Sequence, residues 1–224
     1  MDPTTIRIGD LVLYKNNQLI AFNKPATLPV QEDKTGDKAL INLAEIYSKS
    51  KLHLVHRIDR PASGVVLFAK TSSALADLNQ QFRERTVEKT YLAVVKDLPN
   101  PPEGELLHYL KKNGRQNRSV AKREPFSGAK ESRLTYRHLK SIDRYHLLEI
   151  KLLSGRHHQI RAQLGAIGSP IKGDDKYGFK RANRDRSIQL HAWKLRFQHP
   201  VSKAWEEIVA PVPDDPVWDA FELK

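Results

Sequence analysis

Short apolar runs and helical stripes alternate along the chain. Ile6–Leu13 has the spacing of a short extended segment, and after the polar turn Lys15-Asn16-Asn17-Gln18 the run Leu19-Ile20-Ala21-Phe22 reads as a buried strand. Asn23-Lys24-Pro25 ends it, because proline has no amide donor for the ladder and biases Lys24 towards an extended backbone. Gln31–Asp37 is a polar loop, and Ala39–Ser48 places Leu40, Leu43, Ala44 and Tyr47 on one helical face. Val65–Ala69 is a second apolar, β-branched run and hence a buried strand. Thr71-Ser72-Ser73 then caps a helix whose stripe is Ala74, Leu75, Leu78 and Phe82 and whose end, Arg83-Glu84-Arg85, carries basic charge suited to a C-terminus. Val87–Val95 is a third strand.

The second half is less regular. Leu98-Pro99-Asn100-Pro101-Pro102 is a linker-like turn, so a single domain over residues 1–224 is expected, with two lobes meeting near 98–104. Residues 111–133 hold Lys111, Lys112, Arg115, Arg118, Lys122, Arg123, Lys130 and Arg133 with almost no apolar periodicity, which predicts a loop, solvated in the free protein and a phosphate contact when RNA binds. Leu134–Leu139 and Tyr145–Leu153 alternate in character around Ser141-Ile142-Asp143-Arg144 and predict a hairpin. Ser154-Gly155 is read as the start of a helix with Ile160, Leu164 and Ile167 on its apolar face, stopped by Gly168 and Pro170. On that helix His157 and Arg161 would lie one turn apart and share a face. Leu190–Phe197 and Trp205–Val209 make a closing strand pair around His199-Pro200-Val201-Ser202.

Composition narrows the chemistry. With 38 Lys+Arg against 26 Asp+Glu, the 224-residue chain carries a formal charge of +12, and a polyanion, nucleic acid first, is the expected partner. There is no cysteine, which excludes a disulfide framework, thiol catalysis and a zinc–thiolate site. Met1–Thr5 lacks the basic and then apolar pattern of a signal region, and no run approaches the ~20 apolar residues of a membrane span, so a cytoplasmic location is expected.

One stretch concentrates the candidate chemistry: Val55-His56-Arg57-Ile58-Asp59-Arg60-Pro61-Ala62-Ser63-Gly64. A lone carboxylate between two arginines on a loop is a poor core element, but an arrangement that favours the ionised form; a solvated surface ion pair is the bland alternative. His56-Arg57-Ile58-Asp59-Arg60 with Ser63-Gly64 resembles the signature of the RluA family of RNA pseudouridine synthases. Further blocks follow in the family's order: Asn23-Lys24-Pro25, Lys89-Thr90-Tyr91-Leu92-Ala93, Ser154-Gly155-Arg156-His157-His158-Gln159-Ile160-Arg161, Gly173-Asp174 with Tyr177-Gly178, Leu190-His191-Ala192 and His199-Pro200. Together they cover residues 18–213. Two positions depart from the usual pattern: Ala62 stands where Thr is common, and His157 where a small or polar residue is usual.

The resemblance implies an α+β pseudouridine synthase fold, a mixed but mainly antiparallel central sheet with flanking helices and a catalytic cleft. It implies Asp59 as the essential residue, acting on the ribose either as a nucleophile at the anomeric carbon or as a base at the neighbouring one. Arg161 matches the arginine that pairs with that carboxylate, and Tyr91 the tyrosine that stacks on the target base and helps remove the proton from its carbon 5. Arg57 would face RNA and fill the space of a flipped nucleotide. Arg60 and Arg156 join it in contacting substrate, His56 either orders the loop or contacts RNA, and Lys24 is either a phosphate contact or a solvated turn lysine. The partner implied is tRNA or rRNA, with no metal, cofactor, membrane or obligate protein partner and a monomeric enzyme; Asn23 comes early, so a short form without an N-terminal RNA-binding domain is expected. Two rivals remain at this stage. A metal-dependent nuclease would use His53, His56 and Asp59, or His157 and His158, at a spacing that matches no common metal motif. A non-catalytic RNA-binding module would need only the charge and the aromatic residues.

Overall fold

The structure is a computed structural model that describes residues 7–32 and 36–223. In chain order its elements are β1 (Val12–Lys15), β2 (Leu19–Lys24), α1 (Leu40–Ser48), β3 (His53–Leu54), β4 (Ser63–Ala69), α2 (Ser72–Glu84) and β5 (Glu88–Val95). They continue with β6 (Glu103–Asn113), β7 (Arg118–Lys122), β8 (Lys130–Ile142), β9 (Tyr145–Leu152), α3 (Gln159–Ala166), β10 (Leu190–Gln198), β11 (Trp205–Val209) and α4 (Pro216–Asp219). Few helices accompany many antiparallel strands, an α+β fold. The chain divides into two compact units, Met1–Val87 with Ala192–Pro211, and Glu88–His191 with Val212–Lys224.

In the first unit β2 and β4 lie side by side, antiparallel, from Leu19 opposite Ala69 to Lys24 opposite Gly64. Both are apolar on both faces because both faces are covered. Leu19, Ala21, Val65 and Leu67 join Ala74 and Leu78 of α2 and Leu195 and Phe197 of β10 in one core cluster. On the opposite face Phe22 meets Tyr47 of α1 and Phe68 edge-on, with ring centroids 6.4 and 6.1 Å apart. β10 follows β4 in the sheet, and the contact is so close that a Cβ on Gly64, whose φ is +115°, would fall 2.2 Å from the Ala192 carbonyl oxygen. The α2 cap is as expected, with the Thr71 hydroxyl accepting from the Ala74 N–H. The buried Gln81 amide of α2 does the work of a strand neighbour for Gln198, accepting from its N–H (3.0 Å) and donating to its carbonyl (2.8 Å). The expected extended segment 6–13 is corrected in part: Ile8–Leu11 form a 3-10 turn before β1, and Ile6 lies outside the described residues, as do Met1–Thr5 and residues 33–35 of the polar loop.

The second unit is a ladder of antiparallel strands in the order β5-β9-β8-β6-β7. The expected hairpin is β8–β9, turning at Asp143-Arg144, with Asp143 at φ +32°. Three expectations change here. The Pro-rich turn 98–102 lies inside this unit, joining β5 to β6, and the division of the chain falls instead at 87/88, 191/192 and 211/212. The basic stretch 111–133 is not one loop: it supplies the end of β6, all of β7 and the start of β8, joined by turns at 114–117 and 123–129. Its inward positions on β7 are Ser119 and Ala121, too small and too polar to register as apolar periodicity. Finally, α3 begins at Gln159 rather than at Ser154-Gly155, because His158 adopts a left-handed conformation (φ +53°) and breaks the helix there. His157 therefore precedes the helix and shares no helical face with Arg161.

Candidate active site

Asp59 sits half-buried on a turn closed by its own carbonyl, which accepts from the Ala62 N–H at 3.0 Å. Ala62 is itself buried, so the turn holds through its backbone with no hydroxyl at that position. The next residue is held more firmly. The Arg60 carbonyl accepts from the Thr27 N–H (2.8 Å), the Arg60 Nε–H returns a bond to the Thr27 carbonyl (2.9 Å), and the guanidinium is paired with Asp37.

Beneath this loop lies Lys24, completely shielded from solvent. Its ammonium donates to the carbonyls of Pro25 (2.8 Å), Leu28 (2.8 Å) and Arg60 (3.1 Å). That corrects both expectations for it: Lys24 is neither a phosphate contact nor a solvated turn residue but a staple between the end of β2 and the Asp59 loop. Burial pulls its pKa down to about 7; the negative charge of Asp59 opposes that fall and Arg60 adds to it. His56 likewise orders the loop. Its Nε2 accepts from the Leu67 N–H (3.1 Å), which places its proton on Nδ1, and its ring stacks on Phe82 at 5.4 Å. Arg57 alone of this group is exposed, with one bond from its guanidinium to Gln31 (3.2 Å).

The remaining candidates belong to the second unit. Arg161 is 4% exposed on α3, and its Nε and Nη2 donate to the two oxygens of Asp174 at 2.7 and 2.9 Å, a bidentate pair. Its guanidinium also lies over the ring of Tyr177, 5.1 Å from the centroid. Tyr91 is a buried residue of β5, opposite Ile150 of β9. Arg156 is half-buried in the turn before α3: its N–H donates to the Gln159 side chain (3.0 Å) and its Nε to the Glu131 carbonyl (3.4 Å). Sequence reasoning assigned no role to Asp174, Tyr177 or Ser119, although the Gly173-Asp174 and Tyr177-Gly178 blocks marked the first two, and it considered His158 only as a metal ligand of the nuclease alternative. The Tyr177 hydroxyl accepts from the Ser119 N–H (2.7 Å) and shares a second hydrogen bond with His158 Nδ1 (2.9 Å). Burial, then the charge of Arg161, push the His158 pKa down to about 2. No cluster of metal-ligating side chains occurs among the described residues.

A family model described as RNA pseudouridylate synthase matches residues 18–166, which include the Asp59 loop, Tyr91 and Arg161. The chain belongs to the RNA pseudouridylate synthase family. It is 34% identical over 212 residues to ribosomal large subunit pseudouridine synthase C of Vibrio parahaemolyticus, across 90% of this chain and 65% of that protein. With the protein of the same name from Buchnera aphidicola it shares 32% over 219 residues, 93% of this chain and 69% of the other. The chain thus spans about two thirds of the length of these relatives. Among solved structures, human RNA pseudouridylate synthase domain containing 1 superposes with a TM-score of 0.77 at 25% identity, covering 93% of this chain and 86% of that one. The fold expected from the motifs is therefore the fold observed, and no helix among the described residues is long and apolar enough to cross a membrane.

Proposed function

We propose that this chain converts uridine to pseudouridine in structured RNA, with Asp59 as the residue that acts on the ribose. The observation that carries the reading is the Asp59 turn itself: in a member of this family, the one signature carboxylate sits on a backbone fixed from below by Lys24 and from the side by Thr27. Rigid placement of that kind is what attack at a defined sugar carbon requires. The reaction breaks the bond from the anomeric carbon to uracil N1 and joins the same carbon to C5. The proton lost from C5 balances the one gained at N1, so no redox partner enters. Motif resemblance assigns Arg161 as the guanidinium partner of Asp59, and Tyr91 as the stacking residue for the base and an aid to removing the C5 proton. Arg57, exposed beside Asp59 in sequence, suits the place of the flipped nucleotide.

For substrate we propose ribosomal RNA, in keeping with the names of the relatives, with tRNA as a second RNA to be assayed. Phosphate contacts fall to the outward face of the β6–β7 ladder, where Lys111, Arg118 and Lys122 are exposed. The enzyme acts as a monomer in the cytoplasm without an obligate protein partner. The test is tritium release from RNA labelled at uridine C5, together with mapping of the pseudouridines formed. Wild type is expected to release label without shortening the RNA and with EDTA present, and Asp59→Ala to release none while still retaining RNA on a filter. RNA retention by wild type with no label released would make this an RNA-binding module and end the enzymatic reading.

A further inference from the structure

Tyr177 lies where three separate elements meet within the second unit, and the reaction chemistry gives it no task. It is 5% exposed and closes a 3-10 turn, Asp175–Tyr177. α3 approaches that turn so closely that a Cβ on Gly165 would fall 2.6 Å from the Tyr177 carbonyl oxygen. The ring carries two guanidiniums, Arg161 of α3 and Arg118 of β7, each 5.1 Å from its centroid. The hydroxyl binds the backbone of β7 at Ser119 and the imidazole of His158. Neighbouring bonds tie the same three elements. The Ser119 hydroxyl donates to the His157 carbonyl (2.7 Å), and the Lys176 ammonium donates to the Asn117 carbonyl (3.3 Å) in the turn between β6 and β7.

The ring and the hydroxyl thus divide the contacts: the ring takes the guanidiniums of Arg161 and Arg118, and the hydroxyl takes the β7 backbone and His158. The ring, with Asp174, fixes the guanidinium plane of Arg161. The hydroxyl fixes the basic strand β7 to the start of α3. A phenol is the one side chain that does both: phenylalanine keeps the first contact and loses the second, and an aliphatic residue loses both.

We propose that Tyr177 is a positioning residue that joins the RNA-holding strand β7 to Arg161, its hydroxyl serving substrate affinity and its ring serving turnover. This rests on the reading of the chain as an RNA pseudouridine synthase. In the full chain, acting on unmodified transcripts of large-subunit ribosomal RNA, Tyr177→Phe is expected to raise KM about fivefold with kcat held within about twofold. Tyr177→Leu is expected to lose at least about tenfold in kcat as well. Two readouts need no catalysis. In Tyr177→Phe the Ser119 amide should exchange with deuterium faster than in wild type, and filter retention of the same transcript should weaken by about the KM factor.

Equal losses of kcat in the Phe and Leu variants, or an unchanged Ser119 exchange rate in the Phe variant, would overturn the proposal. Should the Leu variant fail to fold, the kcat-against-KM split and the amide exchange of Tyr177→Phe decide alone. A wild-type protein that makes no pseudouridine defeats the functional reading and with it the kcat half of the inference. The affinity half then stands or falls on exchange and filter retention.

Discussion

Lys24 places an ammonium at the end of a strand whose other members are almost all apolar and buried. The arrangement is tolerable because three carbonyls match its three N–H groups and Asp59 is close enough to favour the charge. The unfolded chain keeps this proton up to about 10.5 and the folded chain only to about 7. The unfolded state therefore binds more protons between those values, and stability rises with pH across that window on this account. Urea midpoints of wild type and Lys24→Met at pH 6.5 and 9.5 check the sign, with wild type gaining on the variant at the higher pH. Turnover should suffer in Lys24→Met at every pH, since the orphaned carbonyls free the Asp59 loop. Arg161 shows the same economy of burial: Asp174→Asn leaves the shape and removes the anion, and because breaking a buried pair from one side costs about 3–5 kcal/mol, a clear fall in melting temperature is expected. The motif singled out Asp59 and Arg161 as candidates. It could not reveal that Lys24 points inward, because Asn-Lys-Pro reads equally well as an exposed turn.

At the level of elements, strands and helices that pack through apolar side chains were visible, and those that pack through polar ones were not. β2, β4, α1 and α2 follow their stripes to within a residue or two. β7 was hidden because its inward side chains are Ser119 and Ala121, too small or too polar to mark a stripe although they pack against Tyr177, His157, Leu110 and Ala162. The start of α3 was hidden because a histidine, not a glycine or asparagine, takes the left-handed position. That histidine has a measurable consequence. In the unfolded chain His158 takes up a proton below about 6.5, in the folded chain only near 2, so stability falls as pH drops through that range, by ~2 kcal/mol at pH 5. His158→Asn keeps an acceptor for Tyr177 and suits a positive φ; comparing its urea midpoints with wild type at pH 7 and 5 should show a flatter acid limb. On β7, the outward pair Arg118→Glu and Lys122→Glu should raise KM for RNA and reduce the slope of log affinity against log salt by about 1.5, roughly 0.7–0.9 per lost phosphate contact. An unchanged slope in filter binding would remove β7 from the RNA surface.

For the whole molecule, charge and connectivity matter most. A formal charge of +12 pointed correctly to a nucleic-acid family before any motif was considered, but it does not say which strand carries the useful part. Connectivity was not legible, since nothing in the spacing of apolar residues announces that the first compact unit is assembled from two distant pieces of chain. The proline turn after β5 looked like the seam because proline marks breaks in local structure, whereas a boundary set by long-range strand pairing leaves no local mark. A chain ending at residue 189 lacks the strand that lies against Gly64 and the backbone that receives the Gln81 amide. It is expected to be insoluble, or to show no amide protection over residues 63–69.

The close seating of Ala192 on Gly64 bears on how the protein is made. On the ribosome the aspartate-bearing loop and its greasy neighbours Val65 to Phe68 emerge well ahead of their partner strand, and must wait for residues 70–189 to be made before it appears. During that interval the nascent polypeptide is a natural client for a chaperone, and slow translation between the two strands would lengthen the exposure.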